Sequence, residues 1–467
     1  MPTLAIVNGN VWRTPQATAV LVDGERILAV GAEKFSAARV LDAGGLTIIP
    51  AFNDAHVHFL VASRSLGQLD LFGAATQVEV ERRITEYAGS HQTDWIVGRG
   101  WLYSAFPGGM PDVALLDRLV PDRPTYLESF DAHTGWANSR ALEIAGAAPH
   151  GVLNEAAMKR VTRHIPRPTR EEDLDALRSG MRLAASRGIG SVQEAGDGQD
   201  QLELWRSLRD HGELTVRVRL AFDLTPDTDI DRYGKPAPGD EWIATGILKA
   251  FADGVVESRT ASMLEPFTDS DSRGEPLWTD DHLRRAVHTA DRRGWQVQIH
   301  AIGDAGIRTA LDAYEGTTAG RRHRVEHIET PDPSDIPRFA RLGVVASMQP
   351  QHSDPVITQT WRDNLGPNRA ARGWPWRAVL DSGAPLAFGS DWPVVPLDPF
   401  ASLLMATRDL TLEEAMNAWT SGSAYAEHME KEKGEVREGM LADLAVVDLE
   451  RSVVRATVVG GRVVYES

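Results

Sequence analysis

The stretch IIPAFNDAHVHF, residues 48–59, is an apolar strand-like run that ends in two closely spaced histidines. Amphipathic helical patterns separate it from later runs of the same kind, for example at residues 171–188 and 279–294. Eight apolar runs that alternate with helices are typical of parallel βα units, so the sequence predicts an α/β fold, a (β/α)8 TIM-type barrel. The seven runs after the first are GSVQEAG (190–196), VRVRLAFDL (216–224), GILKAFADG (246–254), WQVQIHAIG (295–303), RHRVEHIE (322–329), GVVASMQP (343–350) and PLAFGSDWP (385–393).

Both ends of the chain are rich in short β-strand signals. Residues 1–52 contain Val- and Ile-rich runs separated by Asn-Gly, Asp-Gly and Gly-Gly turns, and residues 430–467 repeat that texture. Neither end has enough strands to bury both faces of a sheet, so we expect the two ends to combine into one small split β-sandwich. The predicted barrel domain is 53–429, with an inserted lid or subdomain at roughly 61–168.

Composition limits the classes of protein to which the chain can belong. The net charge is −17 and no basic cluster is present, which argues against nucleic-acid binding. The absence of cysteine excludes disulfides and thiolate zinc ligands. The start MPTLAIVNGNVWRTP is not typical of a signal peptide, and no run approaches the ~18–20 apolar residues of a membrane span. We therefore expect a cytoplasmic protein with no membrane partner, and a homodimer as the common default assembly.

Side chains suited to metal binding stand where the predicted strands end. In a barrel these ends meet on one face, where the residues that carry out the chemistry lie. His56 and His58 are two residues apart on a strand, so both imidazoles point to the same side and can bind one ion. Imidazole and carboxylate ligands together favour a borderline divalent ion, Zn2+ before Mn2+, Fe2+ or Ni2+. The candidate ligands are His56, His58, His300, His327 and Asp391, and a strand-end lysine, Lys249, lies beside them.

The number of metal ions stays open at this point. Four imidazoles and a carboxylate exceed the three protein ligands that a single catalytic zinc usually takes. Either two ions, or one ion together with proton-transferring histidines, accounts for the surplus.

These strand-end residues resemble the amidohydrolase superfamily of metal-dependent barrel hydrolases, and in detail its amidohydrolase-3, or YtcJ-like, branch, which includes N-substituted formamide deformylase. The resemblance spans nearly the whole chain, and family members pair the barrel with a split β-sandwich. The stretches that carry it are PAFNDAHVHF, GRGW, PDRPTYLESFDAHTGWANSRALEIAG, GVLNEAA, GILKAFADGVVESRTA, IHAIGDAG, RVEHIE, MQPQH, FGSDWPV and GEVREGMLADLAVVD.

The resemblance implies a role for each strand-end residue. His56 and His58 hold the more buried metal, and His300 and His327 hold the second. Asp391 ligates the first metal and acts as general base. Lys249 bridges both ions after CO2 converts its amine to a carbamate; the alternative is a charged Lys249 paired with Asp253, which leaves a mononuclear site.

Further residues of the matching stretches are weaker candidates for substrate binding. His133 and Glu155 lie in the insertion, where each either meets substrate or serves the structure of the insertion. Gln349 and His352 follow the seventh strand, where a group that polarises a carbonyl is useful. Trp101 and Trp136 form part of an apolar lid or, alternatively, the core of the insertion itself.

The resemblance favours a hydrolase of amide-type C–N bonds, such as an N-substituted formamide, an N-acyl compound or a cyclic amide, acting through metal-activated hydroxide. The same metal centre also suits an esterase, a lactonase or a phosphotriesterase. A third hypothesis, a non-catalytic binding protein on a vestigial barrel, predicts the loss of at least one ligand or of the general base. Every expected position is filled in this chain.

Overall fold

The computed structural model describes residues 1–31, 37–147, 150–154, 157–237 and 239–467. Within them the strands are β1 Leu4–Val7, β2 Asn10–Val11, β3 Ala19–Asp23, β4 Arg26–Gly31, β5 Arg39–Asp42, β6 Thr47–Pro50, β7 Phe52–Val57, β8 Leu69–Asp70, β9 Ile96–Trp101, β10 Thr125–Ser129, β11 Thr134–Ala137, β12 Val152–Asn154, β13 Ile189–Glu194, β14 Arg217–Asp223, β15 Ile243–Phe251, β16 Gln296–Ala301, β17 Arg324–His327, β18 Val345–Met348, β19 Leu386–Phe388, β20 Leu444–Asp448, β21 Val453–Val459 and β22 Arg462–Glu466. The α-helices are α1 Phe59–Ser65, α2 Gln77–Ser90, α3 Val113–Leu119, α4 Ser139–Ala145, α5 Lys159–Thr162, α6 Arg170–Ser186, α7 Gly198–Asp210, α8 Asp280–Arg292, α9 Asp304–Tyr314, α10 Ile336–Leu342, α11 Gln359–Leu365, α12 Pro367–Ala370, α13 Trp376–Asp381, α14 Pro399–Ala406, α15 Leu412–Trp419 and α16 Ser421–Ala426.

The central sheet is a nearly closed barrel of eight parallel strands in the order β7, β13, β14, β15, β16, β17, β18 and β19. The first and last strands meet just beyond β19. There the Asp391 N–H donates to the carbonyl of His56 over 2.7 Å, and the His58 N–H donates to the carbonyl of Trp392 over 2.9 Å. Each strand coincides with one of the eight predicted runs, so the predicted (β/α)8 barrel is confirmed.

The helices that cover the barrel form where the helical patterns predict them. Helix α6 covers most of the predicted run 171–188 and begins with a capping box, in which the Thr169 hydroxyl accepts from the Glu172 N–H while the Glu172 side chain accepts from the Thr169 N–H. Its buried side chains include Leu174, Leu177 and Met181, which belong to the barrel's hydrophobic core. The spacing of three to four residues places them on one face of the helix.

Strands from both ends of the chain form the predicted β-sandwich. One sheet has the order β4-β3-β1-β5, and the other has the order β2-β6-β20-β21-β22. The predicted run 48–59 divides between two domains: β6 ends at Pro50 and pairs with β20, with Ile48 opposite Val446, whereas β7 enters the barrel. Ile6, Ile48, Leu444 and Val446 are buried in the shared core.

The chain between α1 and α6 folds around a sheet of its own, in the order β12-β11-β10-β9-β8. A separate hydrophobic core lies beneath this sheet, and its largest members include Trp101, Tyr103, Phe106 and Trp136. This core is distinct from that of the barrel, and the barrel loops contribute Ile357 and Val395 to it. None of the described helices combines the length and the apolar composition that crossing a membrane requires.

Candidate metal centre

Histidines from three barrel strands and one carboxylate converge at the C-terminal end of the barrel. His56 lies in β7, His327 is the last residue of β17, His352 follows β18, and Asp391 follows β19. Their side chains are at least nine-tenths buried. His58, which directly precedes α1, faces the same point and is more exposed.

Asp391 stands at the middle of this group. Its Oδ1 lies 3.4 Å from Nε2 of His56 and 3.5 Å from Nε2 of His58. Its Oδ2 lies 3.5 Å from Nε2 of His352 and 3.8 Å from Nδ1 of His327. The carboxylate thus joins two triads of donor atoms, His56–His58–Asp391 and His327–His352–Asp391, and within each triad these atoms lie within 4.8 Å of one another.

The donor atoms fit a divalent cation because they are buried and lack other partners. Among the described residues, nothing hydrogen-bonds to Nε2 of His56, Nδ1 of His327, Nε2 of His352 or Oδ1 of Asp391. Unpaired buried polar atoms raise the free energy of the folded protein, and a bound cation would give these atoms a partner. Burial lowers the pKa of His56 and His327 well below the usual value, which keeps their imidazoles neutral and able to donate a lone pair.

The electrostatics of Asp391 reflect its burial and its charged neighbours. Burial raises its pKa to about 6, against the opposing effect of His352 and Lys249, which favour the charged carboxylate. The residue has a φ of +58°, so the backbone turns sharply where it presents the carboxylate to the cavity.

Lys249 and His300 line the same cavity outside the two triads. The amine of Lys249 is buried, has no hydrogen-bond partner among the described residues, and lies 4.6 Å from the centroid of the Phe251 ring. Burial lowers its pKa to about 8. Nε2 of His300 lies 3.1 Å from the carbonyl oxygen of Gly254, and its ring centroid is 4.5 Å from that of His327.

The alternative pairing of Lys249 with Asp253 is not formed. The carboxylate of Asp253 instead accepts hydrogen bonds from the backbone N–H groups of Ser262, Ile302 and Gly303. It therefore ties the loop after β15 to the end of β16.

A cavity of about 660 Å3 opens above the metal-binding groups. Its floor contains His58, Lys249, His300, His327, His352 and Asp391. The insertion supplies Phe130, His133 and Met158 to the walls. The end of β15 supplies Phe251, and the barrel loops supply Leu277 and Val394. Phe251 is 37% exposed and Leu277 is 50% exposed, so apolar surface faces whatever enters.

The six residues predicted to bind substrate have four different outcomes. His133 and His352 line the cavity, with the His133 ring centroid 5.9 Å from that of His300. Gln349 is buried just outside the lining, and both polar atoms of its side chain lack partners in the described part of the chain. Glu155 lies outside the described residues.

Trp101 and Trp136 lie in the core of the insertion, so the lid interpretation needs correction. The indole N–H of Trp101 donates to the carbonyl of Leu127, and that of Trp136 donates to the carbonyl of Asp112. Both rings are fully buried in the core of the insertion, and neither is among the cavity-lining residues. The insertion needs large apolar side chains to fold, and these two tryptophans serve that need.

Three charged neighbours of the site, Glu326, Glu329 and Arg99, were not predicted from the sequence. Glu326 and Glu329 flank His327 within a quoted motif and contact other histidines of the site. Arg99, from the quoted GRGW, donates to the carbonyls of Pro393 and Phe130 and so connects the insertion to the loop after β19. Their charge and their place in matching stretches were the available signals, but their partners depend on tertiary contacts.

A barrel with such donor triads at its C-terminal end defines the class of metal-dependent hydrolases. The family model described as "Amidohydrolase family" matches residues 39–465. This chain belongs to the amidohydrolase family, in its YtcJ-like branch, and is a hydrolase.

Individual relatives match over almost the full length of the chain. Protein LONG AFTER FAR-RED 3 of Arabidopsis thaliana is 28% identical, covering 99% of this chain and 91% of the relative. The putative amidohydrolase YtcJ of Bacillus subtilis is 27% identical (91% and 90%), and the N-substituted formamide deformylase of Arthrobacter pascens is 26% identical (96% and 94%). The crystal structure of an uncharacterized metal-dependent hydrolase from Pyrococcus furiosus superposes with a TM-score of 0.75 at 25% identity, covering 96% of this chain and 99% of that one.

Proposed function

We propose that this protein hydrolyses an amide-type C–N bond in a small molecule, such as an N-substituted formamide, an N-acyl compound or a cyclic amide. The observation that carries the proposal is the pair of donor triads that share Asp391 at the floor of the cavity. The relationship to an N-substituted formamide deformylase supports C–N bonds as the target.

The cofactor we propose is Zn2+, as one ion or two. His56, His58 and Asp391 would hold one ion, and His327 would hold another together with His352 or, as the family resemblance implies, with His300. A bound divalent ion lowers the pKa of a water toward about 7 and polarises a carbonyl oxygen. Nitrogen and carboxylate donors in this proportion are those that zinc prefers.

The protein's own groups would position the substrate and move the proton. Asp391 would take a proton from the attacking water on a carboxylate oxygen and pass it to the leaving nitrogen as the C–N bond breaks. The apolar side chains of Phe130, Phe251 and Leu277 would hold a substituent of the substrate and exclude bulk water.

We also propose that Lys249 is carboxylated. A neutral amine can add CO2, forming an N–C bond and releasing one proton, whereas an ammonium group cannot. The low pKa and the unpaired, buried position of Lys249 support this modification, because they favour the neutral amine.

The test is the variant Asp391→Asn, assayed on paired amide and ester substrates of the same shape. We expect a loss of kcat of at least about 100-fold, because the amide of Asn cannot accept the proton. Circular dichroism should show an unchanged fold. Full turnover by the variant would contradict the role of Asp391, and faster cleavage of esters, lactones or phosphotriesters than of any amide would replace the proposed substrate class.

A further inference from the structure

The end of β17 and the turn that follows it carry two glutamates, Glu326 and Glu329, and each contacts a histidine at the end of a different strand. Oε2 of Glu326 lies 2.5 Å from Nδ1 of His56, and Oε1 of Glu329 lies 3.2 Å from Nδ1 of His352. The intervening His327 and Ile328 both have positive φ, of +74° and +54°. Such values are rare for residues other than glycine and reverse the chain over a very short distance. The short segment 326–329 therefore contacts two histidines and supplies a third.

The two contacts share one geometry. In both cases the carboxylate meets the imidazole at Nδ1, while Nε2 of the same ring faces Asp391, at 3.4 Å for His56 and 3.5 Å for His352. An imidazole that donates a proton from Nδ1 to a carboxylate keeps its lone pair on Nε2. A metal-binding histidine is commonly held in this way by a neighbouring acceptor.

We propose that Glu326 and Glu329 are positioning residues that fix the tautomer of His56 and His352, so that the Nε2 lone pair of each ring points to the metal. Glu329 lines the cavity and Glu326 does not, but the role proposed for both is exerted through the histidines. This inference rests on the metal-dependent hydrolysis proposed above, and it makes His352 a metal-binding residue.

Each carboxylate also accepts a hydrogen bond from a group that can only donate. Oε2 of Glu329 accepts the indole N–H of Trp361 over 2.8 Å, and Oε1 of Glu326 accepts Nε–H of Arg324 over 2.9 Å. Neither an indole N–H nor a guanidinium can accept a hydrogen bond. Trp361 therefore requires an acceptor on the far side of Glu329. Arg324 requires acceptors at both oxygens of Glu326, because its Nη2 also donates to Oε2 over 3.3 Å.

Replacing Glu329 by glutamine exploits this constraint. A glutamine has one oxygen and one NH2 group, and the oxygen must face the N–H of Trp361. The NH2 group then faces Nδ1 of His352 and donates to it, which moves the ring proton to Nε2 and removes the lone pair from the metal side. Arg324 donates to both oxygens of Glu326, so in Glu326→Gln either orientation of the new amide sets an NH2 group against an N–H of Arg324. This substitution therefore disturbs the contact with His56 without dictating which tautomer the ring adopts.

The experiment measures the affinity of the metal-free protein for Zn2+ by competition with a chromophoric chelator, and no substrate is needed. We expect Glu329→Gln and Glu326→Gln each to weaken Zn2+ binding by about 10- to 100-fold. Glu427→Gln is the matched control, since Glu427 is equally buried in the barrel but contacts Lys433 and Asn53 and none of these histidines. We expect it to bind Zn2+ like the unaltered protein, and thermal unfolding verifies that each variant folds.

A second-site variant shows whether weaker Zn2+ binding results from the changed tautomer of His352 or from a general disturbance of the structure. Trp361→Phe removes the obligatory donor, so the amide introduced by Glu329→Gln can turn and present its oxygen to His352. We expect the double variant Glu329→Gln/Trp361→Phe to bind Zn2+ more tightly than Glu329→Gln alone, although it carries one more core substitution.

The outcomes distinguish the two proposals. If the unaltered protein binds no Zn2+, the proposed function fails, and this inference fails with it. If it binds Zn2+ and Glu329→Gln binds equally well, or if the double variant recovers nothing, only the positioning role is overturned.

Discussion

The buried amine of Lys249, which packs against the Phe251 ring, leads to a prediction about metal content. A carbamate at this position would bridge two ions, so we expect the unaltered protein to hold about two equivalents of metal and Lys249→Ala to hold fewer. Elemental mass spectrometry on protein purified without chelator measures this content. Loading in the presence and absence of bicarbonate tests the dependence on CO2.

Lys159→Ala is the control for that measurement, because Lys159 also lines the cavity but is not a predicted ligand. We expect it to keep the full metal content. One equivalent in the unaltered protein, with no change in Lys249→Ala, would show a mononuclear site and leave Lys249 with a structural role.

At the scale of elements, the donor triad His56–His58–Asp391 lies at the junction between the first and last barrel strands. Asp54 bridges the junction: Oδ2 accepts from the Ser390 hydroxyl over 2.5 Å, and Oδ1 accepts from the N–H groups of Ser390 and His56. The Ser390 hydroxyl in turn accepts from the Trp392 N–H. The junction is closely packed, since a Cβ on Gly389 would come within 2.4 Å of the backbone nitrogen of His56.

We therefore predict that Ser390→Ala destabilises the protein by about 1–3 kcal/mol, because the buried carboxylate of Asp54 and the N–H of Trp392 each lose a hydrogen bond. Urea unfolding measures the change. The exposed helical serine in Ser90→Ala serves as control and should change stability by less than about 0.5 kcal/mol. A Ser390→Ala variant as stable as the unaltered protein would mean that this junction needs no such bridge.

The barrel strands and their terminal histidines could be predicted because strand ends converge by topology alone. The contacts of Glu326 and Glu329 could not, since they depend on the positive φ angles at His327 and Ile328, and no hydrophobic pattern encodes these angles. Trp101 was ambiguous for another reason: a lid and a small core both need large aromatic side chains, so composition does not distinguish them.

At the scale of the whole molecule, one buried ion pair connects the barrel to the sandwich. Nε of Arg217, on β14, lies 2.7 Å from Oδ2 of Asp443, and the two side chains are 2% and 5% exposed. Asp443 Oδ1 also accepts from the N–H of Gly460, in the turn between β21 and β22. The pair therefore joins the N-terminal end of a barrel strand to the C-terminal hairpin.

We predict that Asp443→Ala lowers the free energy of unfolding by about 3–5 kcal/mol, since it leaves the guanidinium of Arg217 buried without its main partner. The midpoint of urea unfolding provides the measurement. Asp175→Ala breaks an exposed pair with Arg178 and should cost less than about 1 kcal/mol. Equal effects of the two substitutions would show that the buried pair does not couple the domains.

The floor of the cavity and its opposite wall come from different parts of the chain. The barrel strand ends supply the floor, whereas residues 128–133 and 158–162, in the insertion, supply much of the opposite wall. Some cavity-facing side chains of the insertion, such as Lys159 and Thr162, lie outside its core and can change without disturbing that core or the donor atoms below, whereas Phe130 belongs to both the core and the cavity wall. In evolution, and equally in the laboratory, new substrates can therefore be acquired by exchanging this one module while the reactive centre is inherited intact.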